Sequence, residues 1–182
     1  MNALRRLAAA ALLALPLAVS AQSGTAAQDV ARRDPMQHFF VPSLGDYPAE
    51  LAEARAAGKQ GLFAMFMWDE CPYCERMKKN VISQPAVQQY YRERFLTLAV
   101  DTRGAVPVTD FNGRATTEKA FSTDQNVRLT PTLVFYDLDG RQLYRHVGEI
   151  KDAATMIRLA DFVSTGSYKS QKFAEFQNKR TP

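Results

Sequence analysis

The sequence predicts an α/β fold, a mixed sheet covered by helices on both faces, and three observations predict it. Strand-like and helix-like stretches alternate through most of the chain. Leu62 to Met67 is a continuous apolar run of strand length, the pattern of a strand buried on both faces. The last two strands are joined by Asp137-Leu138-Asp139-Gly140, a hairpin signal that makes the sheet mixed rather than wholly parallel.

The first element is an export signal. Arg5 and Arg6 precede the apolar run Leu7 to Val19, and Ser20 and Ala21 close it, with Val19 and Ala21 suiting the small-residue subsites of a signal peptidase. The run is short for a membrane span, Pro16 interrupts it and no stop-transfer cluster follows. Cleavage after Ala21 and export to the periplasm are expected, with no membrane insertion afterwards. Gln22 to Arg33 is small and polar, so residues 22–36 are read as a flexible lead-in and 37–182 as one domain with a short helical tail.

Within the domain, Tyr47 to Ala57 is helical, capped by Asp46 and followed by Gly58. The strand Gly61 to Trp68 runs into Cys71-Pro72-Tyr73-Cys74, and helical chemistry continues from Cys74 to Asn80. Ser83 is expected to cap a further helix that has Pro85 in its first turn and ends near Arg94. Phe95 to Val100 is the next strand, and Asp101 ends it. Thr102 to Thr116 reads as a loop, with Gly104, Pro107 and the turn signal Asn112-Gly113. Thr117 to Gln125 is helical, Leu133 to Tyr136 and Gln142 to Val147 form the hairpin, and Asp152 to Val163 is an amphipathic helix before Gly166. Phe173 and Phe176 are available to dock the charged tail from Tyr168 to Lys179.

Composition narrows the function. A hydrophobic fraction of 46% is globular, and about 160 residues after the leader are enough for a single core. The formal net charge of +4 falls by two with Arg5 and Arg6, and the remaining basic residues are interleaved with acids, which argues against a nucleic-acid partner.

Cys71 and Cys74 are the only cysteines, and both lie in one C-x-x-C. A small exported protein stapled for stability shows more cysteines at wider spacings, and so short a loop stabilises little. The pair is therefore read as reactive. A cysteine at the end of a buried strand and the start of a helix meets unpaired N–H groups and the positive end of the helix dipole, which favour the thiolate nucleophile. Cys71 is expected at this exposed end as the attacking thiol, and Cys74, one turn on and more buried, as the resolving one. Pro72 suits the first helical turn. A zinc site needs about four ligands, and beside this pair stand only His38 and His146, far apart in sequence. Met65, Met67 and Met77 have core spacing rather than that of a copper site.

The second element is Thr130-Pro131-Thr132, just before a buried strand. Together, Cys71-Pro72-Tyr73-Cys74 after a strand and Val127 to Phe135 followed by Asp139-Gly140 resemble thioredoxin, over roughly Gly61 to Val163. The resemblance implies the thioredoxin fold, a cis peptide bond at Pro131 packed against the active-site disulfide, and pairing of the Thr130 backbone with an extended substrate chain. Val108 to Gly113 and Phe162 to Lys169 are further similar to the periplasmic thioredoxins associated with sulfur oxidation (SoxW type). That likeness implies an exported, monomeric reductase of protein disulfides. It would use no cofactor and would draw electrons from a DsbD- or CcdA-like membrane conduit.

The sequence also departs from these relatives. Where common thioredoxins carry a buried carboxylate, this chain has Met65, and Glu70 or Asp69 could replace it only through water. Pro72-Tyr73 is the dipeptide of glutaredoxins, but the Gly-Gly pair of that family is missing at Asp137 to Arg141, which argues against glutathione binding. Trp68 either covers the core beneath the site or touches substrate, and Tyr73 sits between the cysteines. His146 is expected to be a solvated strand residue. An oxidase or isomerase of the same fold, and a metallochaperone using the two thiolates for Cu(I), stay open as alternatives.

Overall fold

The computed structural model describes residues 31–178, so the expected leader over 1–21 lies outside the described residues. Along the chain come α1 (Pro35–His38), α2 (Tyr47–Ala56), β1 (Gly61–Met67), α3 (Pro72–Met77), a π-helical turn over Lys78–Ile82, α4 (Pro85–Arg94) and β2 (Phe95–Asp101). There follow β3 (Pro107–Thr109), β4 (Ala115–Thr117), α5 (Glu118–Asp124), β5 (Thr132–Tyr136), β6 (Gln142–Val147), α6 (Ala153–Ser164), a 3-10 turn over Ser167–Lys169 and α7 (Phe173–Asn178).

The apolar run of β1 is buried at every position because it lies inside the sheet. The strand order is β2-β1-β5-β6, with β1 parallel to β2 and antiparallel to β5, and β6 antiparallel to β5. Side chains alternate across a strand, so β1 divides between two cores. Phe63, Met65 and Met67 pack with Met77, Tyr91, Leu159 and Phe162 from α3, α4 and α6. Leu62, Ala64 and Phe66 pack with Tyr47, Leu51 and Phe121 from α2 and α5. This is the expected mixed sheet with helices on both faces. A Cβ at Gly61 would lie 2.1 Å from the Tyr136 carbonyl oxygen, so only glycine lets β1 start this close to β5. Gly140, at φ +77°, completes the β5–β6 turn, where the Asp137 carboxylate accepts the N–H groups of Asp139 and Arg141.

Several elements differ from the sequence reading. Asp46 caps α2 as expected, accepting from Ala49 N at 3.1 Å, but Ser83 does not cap α4. Ser83 keeps helical dihedrals, so its hydroxyl bonds back to the Lys79 carbonyl at 2.5 Å, and Gln84 takes the cap position without a side-chain bond. The helix after Cys74 stops at Met77 and gives way to the π turn. The loop expected over Thr102 to Thr116 contains the β3–β4 hairpin, whose three-residue strands are too short to show a period of two. It is tied to the α2 entrance by Thr109 N donating to Gly45 O at 2.6 Å.

α1 straddles residue 36, where the lead-in was expected to give way to the domain. Before it, Arg33 N donates to Ser83 O at 2.8 Å, Gln88 Nε2 donates to Arg33 O at 3.0 Å, and Asp34 accepts from Met36 N at 2.9 Å. Polar composition hid these bonds, since backbone pairing leaves no mark on it. Phe173 and Phe176 dock α7 on Phe162, with ring centroids 5.4 and 5.2 Å away. Among the described residues, no helix is long and apolar enough to cross a membrane.

Candidate thiol–disulfide site

Because β1 and β2 are parallel, Met67 pairs with Asp101 and the two strands end on the same edge of the sheet. Just past that edge a turn closes with Cys71 N donating to Trp68 O at 3.1 Å. Cys71 is the N-cap of α3, in extended conformation, and its Sγ accepts the Cys74 N–H at 3.3 Å. Pro72 occupies the first helical position, where its lack of an N–H costs nothing. The two cysteines form a disulfide with Cα atoms 5.3 Å apart.

The Thr130–Pro131 peptide bond is cis, and this segment lies against the sulfurs. Thr130 Oγ1 donates to Cys71 Sγ at 3.3 Å and accepts the Trp68 indole Nε1–H at 3.0 Å. The segment is braced by Thr132 Oγ1 donating to Leu129 O at 2.6 Å and by Gly148 N donating to Pro131 O at 2.8 Å. A hydrogen-bonded chain thus runs from indole to hydroxyl to sulfur.

Cys74 is fully buried, and Cys71, expected at an exposed end, is only 2% exposed. The Thr130–Pro131 segment and the Trp68 ring account for this, since the helix end faces them rather than open water. Beneath the disulfide lie Met65 and Met77, both fully buried in the same core cluster as the two cysteines. The position that resembles the carboxylate site of relatives therefore holds no proton acceptor.

Of the expected site residues, the structure brings Trp68, Thr130 and Pro131 together with Cys71 and Cys74. Pro72, Tyr73 and Glu70 stay on the rim. Glu70 was expected to be able to relay a proton, but it and Asp69 are exposed, and among the described residues no hydrogen bond or ion pair joins either to the site. A charged side chain on a turn ahead of the helix gains more from water than from this apolar bed. Tyr73 is 54% exposed and carries the Arg76 guanidinium 4.5 Å above its ring. Arg76 in turn makes a bidentate pair with Glu149 at 3.1 and 3.0 Å. His146, expected to be solvated, is half-buried with its ring 6.3 Å from that of Phe173, and burial holds it below the usual imidazole range. Among the described residues, no three His, Cys, Asp or Glu side chains cluster as metal ligands would.

Sequence reasoning missed Arg103. Its guanidinium lies 3.4 Å from the centroid of the Trp68 ring. With Arg128 and Thr130 it lines a cleft of about 230 Å³ beside the disulfide. The signal that could have found it is its place just beyond the end of β2, parallel to the strand that delivers Cys71.

A buried sulfur that receives two donors, bonded to a second sulfur one turn deeper, is an arrangement suited to thiol–disulfide exchange. Comparison with known proteins agrees on the fold. No curated protein matches the sequence. A putative disulphide-isomerase from Bacteroides thetaiotaomicron is similar over 78% of this chain and 100% of its own, with a TM-score of 0.54 and 23% identity. A thioredoxin-fold protein from Helicobacter pylori is similar over 65% of this chain and 77% of its own, with a TM-score of 0.52 and 23% identity. A DsbH oxidoreductase covers 79% of this chain and 95% of its own at 0.52 and 17% identity. At such identities the likeness is one of fold. The sequence profile of the thioredoxin-like domain matches residues 47–164, which include both cysteines, the cis-proline segment and the whole four-stranded sheet. The chain belongs to the thioredoxin-like domain family.

Proposed function

We propose that this protein is an exported reductase of protein disulfides, with Cys71 as the attacking thiol and Cys74 as the resolving one. The observation that carries the reading is the pair of donors on Cys71 Sγ, the Cys74 N–H and the Thr130 hydroxyl, in a site where both cysteines are almost fully buried. In the reduced protein the same two donors stabilise a Cys71 thiolate.

The thiolate attacks one sulfur of the substrate disulfide, forming a mixed disulfide and releasing one substrate thiolate. Cys74 sulfur then attacks Cys71 sulfur, closing the Cys71–Cys74 bond and releasing the second substrate thiolate, so two electrons pass to the client. With Met65 beneath the pair, the departing substrate thiolate takes the Cys74 proton.

Trapping tests the roles. Cys74→Ser accumulates mixed disulfides with clients and Cys71→Ser does not, and equal trapping by both refutes the assignment. The midpoint potential tests the direction. A value near about −270 mV supports a reductase, and one near about −120 mV an oxidant. Export rests on Arg5 to Ala21, and a mature N-terminus at Gln22 in periplasmic protein tests it. Supply from a DsbD- or CcdA-like conduit, which the resemblance to SoxW-type thioredoxins implies, rests on the stretches Val108 to Gly113 and Phe162 to Lys169. Loss of the reduced form in cells without such a conduit tests that supply. About one copper bound per chain after gentle purification of reduced protein favours the metallochaperone instead.

A further inference from the structure

We propose that Arg103 and Arg128 form a carboxylate subsite beside the disulfide, selecting protein clients with an acidic residue next to the cysteine under attack. The inference rests on the exchange reading above and names a substrate class for it.

The subsite is a cleft of about 230 Å³ lined by Trp68, Thr102, Arg103, Val127, Arg128 and Thr130. Thr130 is the residue whose hydroxyl touches Cys71 Sγ, so the cleft begins one side chain from the reactive sulfur. Arg103 is positioned rather than loose. Its guanidinium is stacked on the Trp68 ring, and that ring is fixed by the indole bond to Thr130. A guanidinium held over a ring by its face keeps its in-plane N–H donors free for a carboxylate, which it can bind in two-pronged fashion.

Charge makes the same point. Arg55, Arg76, Arg114 and Arg141 each pair with a carboxylate. Among the described residues, no carboxylate pairs with the guanidinium of Arg103 or Arg128. The Asp101 carboxylate accepts the Arg103 backbone N–H at 2.8 Å rather than its guanidinium, and Asp69 and Glu70 do not line the cleft. On the opposite flank of the disulfide, Glu149 already neutralises Arg76. An anion entering the cleft that both arginines line meets two cations that no carboxylate among the described residues neutralises. Leu129, 66% exposed between Arg128 and Thr130, adds an apolar contact for the same segment of the client.

The test uses the reduced mature chain and two synthetic peptide disulfides that differ only in Glu or Gln beside the cysteine. The Glu peptide is reduced with a kcat/KM about three- to tenfold higher at low salt, mostly through KM. At about 1 M salt, where charges more than ~3 Å apart are screened, the ratio approaches one. Arg103→Gln and Arg128→Gln each bring the ratio toward one.

A second readout needs no redox step. Trp68 is the only tryptophan, so a Ser-for-Cys version of the Glu peptide gives a saturable change in its fluorescence that the Gln version does not. Equal rates for both peptides, or a preference that survives in both arginine variants, overturns the subsite. Reduction of glutathione disulfide as fast as the Glu peptide overturns the assignment to protein clients. A Glu-specific fluorescence change without reduction of any peptide supports the subsite and sinks the exchange reading.

Discussion

Replacing Thr130 by Val keeps the branched shape and removes the one hydroxyl that joins the Trp68 indole to Cys71 Sγ. A hydrogen bond to a charged acceptor contributes about 1.5–3 kcal/mol. Sulfur is a diffuse acceptor and the Cys74 N–H stays in place at 3.3 Å, so the loss falls just below that range, at about 1.4 kcal/mol, or tenfold in thiolate population at fixed pH. Part of the rate returns, because a more basic thiolate is a better nucleophile. With a Brønsted coefficient of about 0.4–0.5, tenfold in population becomes about three- to fourfold in rate near neutral pH. Stopped-flow reduction of a peptide disulfide across pH 5–10 measures both the fall and the upward displacement of the profile. Above the range where the thiol titrates, the variant should match or exceed the parent. Trp68→Phe, which keeps the hydroxyl, separates the two bonds and should leave the profile in place. A Thr130→Val profile that is uniformly lower without moving along the pH axis refutes the thiolate-donor role and reduces Thr130 to a packing residue.

Other outcomes follow from the core and from a buried acid remote from the disulfide. Glu50 is 8% exposed with one carboxylate oxygen unpartnered, and burial, reinforced by Asp46 and Glu53 against the pull of Ser43 and Gly45, pushes it up to about 7 from 4.5. The folded state then holds a proton that the unfolded chain has released, so stability is fully present below pH 4.5 and falls through about pH 7, by up to about 3 kcal/mol. Glu50→Gln should flatten that slope and raise the urea midpoint at pH 8 but not at pH 4, and identical slopes in both proteins refute this. Gly61→Ala places a methyl 2.1 Å from the Tyr136 carbonyl oxygen, so β1 and β5 must separate locally, at a cost of about 1–3 kcal/mol in denaturant unfolding. Tyr91→Phe removes the buried bond to Met156 O at 2.9 Å and should lower stability by about 1–2 kcal/mol, with disulfide reduction by the folded protein unchanged.

The parts of the fold that were legible in the sequence are those with a local signature. The run Leu62 to Met67 had the length and composition of a fully buried strand, Asp137 to Gly140 carried a strong hairpin signal, and a lone C-x-x-C at a strand end read as reactive without tertiary knowledge. The parts that stayed hidden depend on what the chain meets in space. Burial of Cys71 comes from a segment 59 residues away. Arg103 is one of 23 basic residues, and only the parallel register of Met67 with Asp101 places it over Trp68. Ser83 had the right chemistry for a cap but the wrong dihedrals, because the π turn delivers it in helical conformation. Glu70 shows the converse, since adjacency to Cys71 in sequence did not become adjacency to its sulfur. His146 looked polar on an alternating strand, and the docked tail carrying Phe173 half-buries it.

Burial of the attacking sulfur has a consequence for how such a site chooses clients. In the disulfide form Cys71 is 2% exposed, with Thr130 hydrogen-bonded to its sulfur and to the Trp68 indole. Around the sulfur, two large apolar side chains stand out in water, Tyr73 at 54% exposure and Leu129 at 66%. One belongs to α3 and the other lies just ahead of β5. An extended client segment, under the proposed function, would be the form able to lie against both. Covering both side chains removes apolar area from water at about 25 cal/mol per Å², a gain open to any extended segment that spans them. For a client disulfide under the proposed exchange, that contact would also hold the substrate sulfur near Cys71 and raise its effective concentration. In the proposed subsite, charge at Arg103 and Arg128 would add to this apolar contact and discriminate among extended segments.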